Sequence, residues 1–156
     1  TGGAQVSRDS SWAGSERGQL WDADLRRLCQ ARRDAAAMPT LVWLHHQPVK
    51  VGSRWLDTMA IANPDDFFAV IDRHPQVRAI VWGHVHQVFE QERNGVRLLA
   101  TPSTCIQFMP GSDEFAVEHV PPGYRWLELY SDGSLKTGVE RLAAIPGTID
   151  LDARGY

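Results

Sequence analysis

Apolar and polar positions alternate along the chain in blocks that favour helix and strand in turn. From about Gln19 to Ala37, Trp21, Leu25, Leu28 and Arg32 follow i, i+4, i+7 spacing, with Arg26, Arg27 and Arg33 on the wet side. That pattern predicts an amphipathic helix stopped by Pro39. The next block, Thr40-Leu41-Val42-Trp43-Leu44, is continuously apolar and short, as expected of a strand covered on both faces. A second helix carries its start signals in order: Asn63 suits the N-cap, Pro64 the first helical position, and Asp65 and Asp66 the positive helix end. Phe67, Phe68, Val70 and Ile71 supply its inner side, Pro75 ends it, and another buried strand follows over Val77 to Trp82.

Beyond Trp82 the pattern becomes that of hairpins. Val88 to Glu92 and Val96 to Ala100 flank Asn94-Gly95, and Tyr124 to Tyr130 and Leu135 to Arg141 flank Asp132-Gly133. Residues 101–123 hold Pro102, Pro110, Gly111, Pro121, Pro122 and Gly123, and a loop of that length in a compact domain is functional or is structured by other elements. Residues 1–17, rich in Gly and Ser, read as a loop. Helix, strand, helix, strand and two hairpins in that order predict a mixed α/β layer architecture.

Length allows one domain with a real core. Sixteen basic against nineteen acidic residues give a net charge of -3, which argues against a nucleic-acid surface as the main function. No apolar run approaches the roughly 18 residues of a membrane-spanning helix. Cys29 and Cys105 are far apart and form no CxxC pair, so a reduced, cytoplasmic protein is the simplest expectation.

The candidate chemistry lies in the histidines. Four of the six fall in two clusters, His45-His46 and His84-Val85-His86, each directly after a predicted buried strand. Ligand sites of open α/β sheets form beyond the carboxyl ends of the strands, so both clusters are expected to face one crevice. Neutral imidazole suits Zn, Mn and Fe. Gly83 is expected to permit a sharp turn ahead of His84. Neither cysteine stands at a zinc-finger spacing from these residues, and no G-x-S-x-G elbow of a serine hydrolase occurs.

His45-His46-Gln47-Pro48 and Gly83-His84-Val85-His86 resemble the two C-terminal metal motifs of calcineurin-like metallophosphoesterases. Gly52-Ser53-Arg54-Trp55-Leu56-Asp57, His86-Gln87 and Leu98-Leu99-Ala100-Thr101-Pro102-Ser103-Thr104-Cys105-Ile106-Gln107-Phe108 narrow the resemblance to the bacterial class III phosphodiesterases of 3′,5′-cyclic AMP. The resemblance spans Gly18 to Tyr156. It implies the C-terminal half of a four-layer α/β/β/α sandwich, with residues 1–17 as a loop before it. It implies two divalent ions (Fe, Mn or Zn) and a cyclic nucleotide substrate hydrolysed to the 5′-monophosphate. His45, His84 and His86 are the implied ligands, His84 sharing one ion with the first cluster and His86 belonging to the other. The pattern favours His45 within its pair, leaving His46 to face the substrate phosphate as a catalytic group or to support the site from behind. Thr104 and Gln107 are candidates for touching the nucleotide, with hydrogen bonding of a turn the alternative reading for the threonines.

The family's Gly-Asp and Gly-Asn motifs do not occur, and Asp72-Arg73-His74 sits at a predicted helix end rather than after a strand. A two-metal site with ions ~3.5–4 Å apart requires a bridging oxygen ligand. The chain is therefore expected to lack on the order of a hundred N-terminal residues of the intact enzyme, to bind one ion or none alone, and to be inactive alone. Strands 41–44 and 77–82 are expected to expose edges or faces and to promote a homodimer. A phosphoesterase with another ester substrate and a non-catalytic binding module of the same fold are the alternative readings.

Overall fold

The computed structural model describes residues 4–7, 10–11, 15–20, 23, 26 and 38–148. Among these, strands β1 (Ala4–Ser7), β2 (Thr40–Leu44), β3 (Val77–Trp82), β4 (Phe89–Arg93) and β5 (Val96–Ala100) form one sheet in the order β1-β2-β3-β5-β4. β1, β2, β3 and β5 run parallel, and β4 closes one edge antiparallel to β5. Two short helices, α1 (Arg54–Asp57) and α2 (Pro64–Ile71), lie in the crossover between β2 and β3. The predicted helix over 19–37 falls largely outside the described residues.

Side chains alternate across the sheet with period two, and each face has its own cover. Val42, Leu44, Ile80, Trp82, Leu98 and Ala100 face one side and pack with Phe67, Phe68, Val70 and Ile71 of α2. Leu41, Ala79, Val81 and Leu99 face the other, where Leu127, Leu129 and Leu135 cover them. These three leucines belong to the hairpin β8 (Gly123–Leu129) and β9 (Leu135–Arg141), so helix, sheet and second sheet stack in that order.

Two expectations are corrected here. Residues 1–17 are not wholly loop, since Ala4–Ser7 pairs in register with Thr40 to Trp43. Nor do β2 and β3 expose edges or faces: each has a strand on both sides, and Val42, Ala79 and Ile80 are fully buried. Among the described residues the outermost strands are β1 and β4, so the expected dimer loses its stated basis. The outer edge of β2 is covered by β1, from the segment that composition marked as loop, and that of β3 by β5.

Local details follow from residue type. Asn94 and Gly95 adopt φ of 52° and 77°, the pair of positive values that a two-residue hairpin turn with the right twist needs. α2 begins at Pro64 as predicted, but Asn63 makes no side-chain cap. Its amide instead pairs with Leu20, accepting from the backbone N–H at 3.2 Å and donating to the carbonyl at 2.7 Å. The stretch 101–123 carries the small ladder β6 (Gln107–Phe108) and β7 (Val117–Glu118). A buried polar knot ties it down: the Ser53 hydroxyl accepts from Gln87 Nε2 at 3.1 Å and from the Gly111 amide at 3.0 Å. Ser53 and Gln87, which mark the narrower resemblance, thus join the two post-strand loops to the long connection.

Candidate metal centre

β2 and β3 are adjacent and parallel, with Leu44 opposite Trp82, so their carboxyl ends finish side by side. The residues after each end meet. The ring centroids of His46 and His84 are 4.5 Å apart, those of His45 and His46 4.7 Å, and those of His45 and His84 5.2 Å. One nitrogen from each of the three lies within 4.8 Å of the others. Among the described residues this is the one group of three or more histidine, cysteine or acidic side chains with metal-binding spacing, and it contains no carboxylate.

The second cluster reaches this position through a distorted backbone. His84 and His86 have φ of 57° and 47°, in the left-handed region that residues with a Cβ rarely occupy. Strain of this kind is on the order of 1–3 kcal/mol per residue and collects at functional sites. The Val85 amide folds back onto the Gly83 carbonyl at 2.6 Å, while the Val85 side chain is fully buried as an anchor. Gly83 is not the hinge that the sequence suggested: its φ is not positive, and a Cβ there would meet nothing within 4 Å. The turn is carried by the histidines themselves.

The four imidazoles occupy different surroundings. His46 is buried and His45 exposed. Burial, reinforced by the neighbouring His46, His45 and His86, holds His84 down at a pKa of about 3. His86 is also lowered by burial, opposed by a hydrogen bond to the Ile106 backbone. Its ring stacks on Phe108 at 4.3 Å and an interplanar angle of 6°, beside the three-histidine group rather than within it. His84 Nε2 and His86 Nδ1 are buried with no hydrogen-bond partner among the described residues. A half-buried imidazole whose inner nitrogen is unsatisfied is costly without a ligand and well suited to a metal.

The two proposed nucleotide contacts stand in the connection that follows β5, next to Phe108, whose ring stacks on His86. Gln107 is buried, its amide accepting from the Ser103 N–H at 3.1 Å and donating to the Ser103 carbonyl at 2.8 Å. It shapes the 103–107 turn. Thr104 is exposed and lines a groove of about 640 Å³ with Pro122, Tyr124, Trp126 and Leu142 on the outer side of the β8–β9 hairpin. Asp72, of the lone Asp-x-His, pairs with Arg93 on β4. Sequence reasoning missed Ser10, which is fully buried against His46, and Gly18, which packs on the same ring. A serine in a Gly/Ser-rich stretch carries no local signal of such a role.

This arrangement defines a class before it defines a relative. The fold resembles that of a dimetal phosphatase from Danio rerio, with a TM-score of 0.52 at 16% identity over 77% of this chain and 36% of that one. No protein-family model matches the chain. Its fold matches that of a metallophosphoesterase, and its sequence is related to proteins named 3′,5′-cyclic AMP phosphodiesterases. It is 44% identical over 151 residues to the 3′,5′-cyclic adenosine monophosphate phosphodiesterase CpdA of Pseudomonas aeruginosa, covering 97% of this chain and 56% of that protein. It is 41% identical to the CpdA of Vibrio vulnificus and 40% to that of Escherichia coli K12, each over 95% of this chain and 54% of the relative. The chain thus spans about half the length of the curated relatives it matches. Among the described residues no helix is long and apolar enough to cross a membrane.

Proposed function

We propose that this chain forms the histidine wall of a dinuclear metal site that hydrolyses 3′,5′-cyclic AMP to 5′-AMP, the carboxylate ligands lying outside it. The observation that carries the reading is the convergence of His45, His46 and His84 from two adjacent parallel strands, with unsatisfied nitrogens on His84 and His86. The names of the relatives supply the substrate. When bound, a pair of divalent ions supplies Lewis-acid polarisation of a phosphoryl oxygen and activation of water. Imidazole donors suit Fe, Mn and Zn, and elemental analysis of the purified protein separates these.

The chain's own residues provide ligation and orientation. His84 and His46 would hold one ion and His86 the other. The motif pattern favoured His45 over His46, but burial and a hydrogen-bonded ring favour the reverse, since metal-ligating histidines engage their second nitrogen with a supporting group. The exposed His45 is then the ring left open to solvent, where a substrate phosphate would meet it. Burial keeps His84 unprotonated through the neutral range, so no proton must leave it before ligation.

The test uses a protein of the relatives' full length that contains this segment. Release of 5′-AMP from 3′,5′-cyclic AMP is expected to fall at least about 100-fold in His84→Ala, beyond the usual effect of losing an outer-shell partner. A substrate panel including phosphomonoesters places the preference. Unchanged hydrolysis in His84→Ala, or no hydrolysis by the metal-loaded parent, overturns the reading.

A further inference from the structure

We infer that Ser10 and Gly18 act as a clamp that presets His46 for metal, holding its ring so that Nε2 is the nitrogen presented; this rests on the assignment of His46 as a ligand. Ser10 stands 36 positions before His46 and is fully buried. Its hydroxyl oxygen accepts from the His46 backbone N–H at 2.9 Å and lies 2.8 Å from Nδ1 of the same residue. One oxygen therefore engages both the backbone and the ring of one histidine, restricting the torsions that aim the imidazole.

Two proton placements fit this geometry, and the clamp requires the first of them. A serine oxygen has two acceptor sites. When both are filled by His46, Nδ1 carries the ring proton and Nε2 keeps its lone pair, the state a metal requires. The opposite state, with the hydroxyl donating to Nδ1, puts the proton on Nε2 and bars ligation there.

Gly18 closes the clamp by shape. A Cβ at this position would lie 2.7 Å from His46 Cβ and Cγ and 2.8 Å from Nδ1, so the ring rests directly against bare backbone. That backbone is anchored: the Ala62 amide donates to the Gly18 carbonyl at 2.8 Å, and the Gln19 amide donates to the Ser10 carbonyl at 2.8 Å. Asn63 then holds Leu20 from both sides. The segment is thus docked on the loop leading into α2, and the ring is positioned by contacts outside its own strand. Ser10 and Gly18 are positioning residues, because each acts through His46.

The experiment titrates Zn2+ into this chain against a competing chelator, with melting of the metal-free protein recorded in parallel. Ser10→Ala is expected to weaken zinc binding roughly 10- to 100-fold, as loss of an outer-shell partner does. Ser10→Thr, which keeps the hydroxyl, is expected to restore it, and Gly18→Ala to weaken it. His46→Ala is the control. If it binds zinc like the parent, or if the parent takes up none, the ligand assignment fails and the clamp with it. If His46→Ala loses binding while Ser10→Ala keeps the parental affinity, the clamp alone is overturned. Ring carbon and nitrogen chemical shifts of His46 in the metal-free parent give a readout needing no substitution. The proton on Nδ1 supports the clamp, and the proton on Nε2 overturns it, even if Ser10→Ala does not fold.

Discussion

At the scale of single residues, the site combines strain with desolvation. His84 has a positive φ and a half-buried ring, so the fold bears both a backbone and a solvation cost to place one imidazole. Each cost has a measurable sign. In the metal-free chain, burial keeps His84 neutral down to about 3, whereas in the unfolded chain it takes a proton near 6.5. Between these values the unfolded state binds more protons, so stability rises with pH and is lost as pH falls. The urea midpoint of the metal-free chain is expected to drop from about pH 6.5 to 5.5, above the usual range where carboxylates titrate, and to drop less in His84→Asn. The backbone cost is read by a pair of variants: His84→Gly is expected to be more stable than His84→Ala by roughly 1 kcal/mol in chemical denaturation, because only glycine occupies this region without a Cβ clash. Equal stabilities would show that the turn stores no strain. None of this was legible from Gly83-His84-Val85-His86, where the glycine drew attention as the flexible member and the histidines bear the unusual torsions.

At the scale of elements, the parts with strong local periodicity were readable and the parts defined by partners were not. β2, β3, α2 and both hairpins stand close to where pattern and turn chemistry put them, because a five- or six-residue apolar run or an Asn-Gly turn is its own signal. β1 is a four-residue strand with one buried apolar side chain, Val6, and becomes a strand by pairing with β2. The attachment of the second hairpin to the main sheet was equally silent. Beside the three leucines, Arg125 supplies polar contacts to it, with its guanidinium buried, donating to the Ala100 carbonyl at 3.0 Å, to Glu90 at 2.8 Å and to the Thr137 hydroxyl at 3.2 Å. The same ion pair holds Glu90 below the usual carboxylate range. Arg125→Met is expected to destabilise the chain by about 1–3 kcal/mol, the range for lost charge-assisted hydrogen bonds, with Glu90→Gln costing less because that carboxylate is half exposed. A loss in Glu90→Gln equal to that in Arg125→Met, in the same denaturation assay, would place the stabilising contact on the carboxylate instead.

At the scale of the whole molecule, the described residues provide imidazoles at the carboxyl ends of two parallel strands and no carboxylate among them to bridge two ions. The 156-residue chain, supplied with Mn2+ or Zn2+, is expected to release no 5′-AMP from 3′,5′-cyclic AMP above the uncatalysed rate; turnover by the chain alone would show that a bridging ligand is unnecessary or is recruited from elsewhere in it. By itself the sequence determined the strands, the turns and the placing of two histidine clusters at strand ends, since each is written in spacing over fewer than ten residues. Tertiary structure alone decided that those strands are parallel neighbours, that His46 is buried and His45 exposed, and that Ser10 reaches a ring 36 positions away. Those outcomes depend on sheet register and on how loops close over it, and local periodicity carries no record of either.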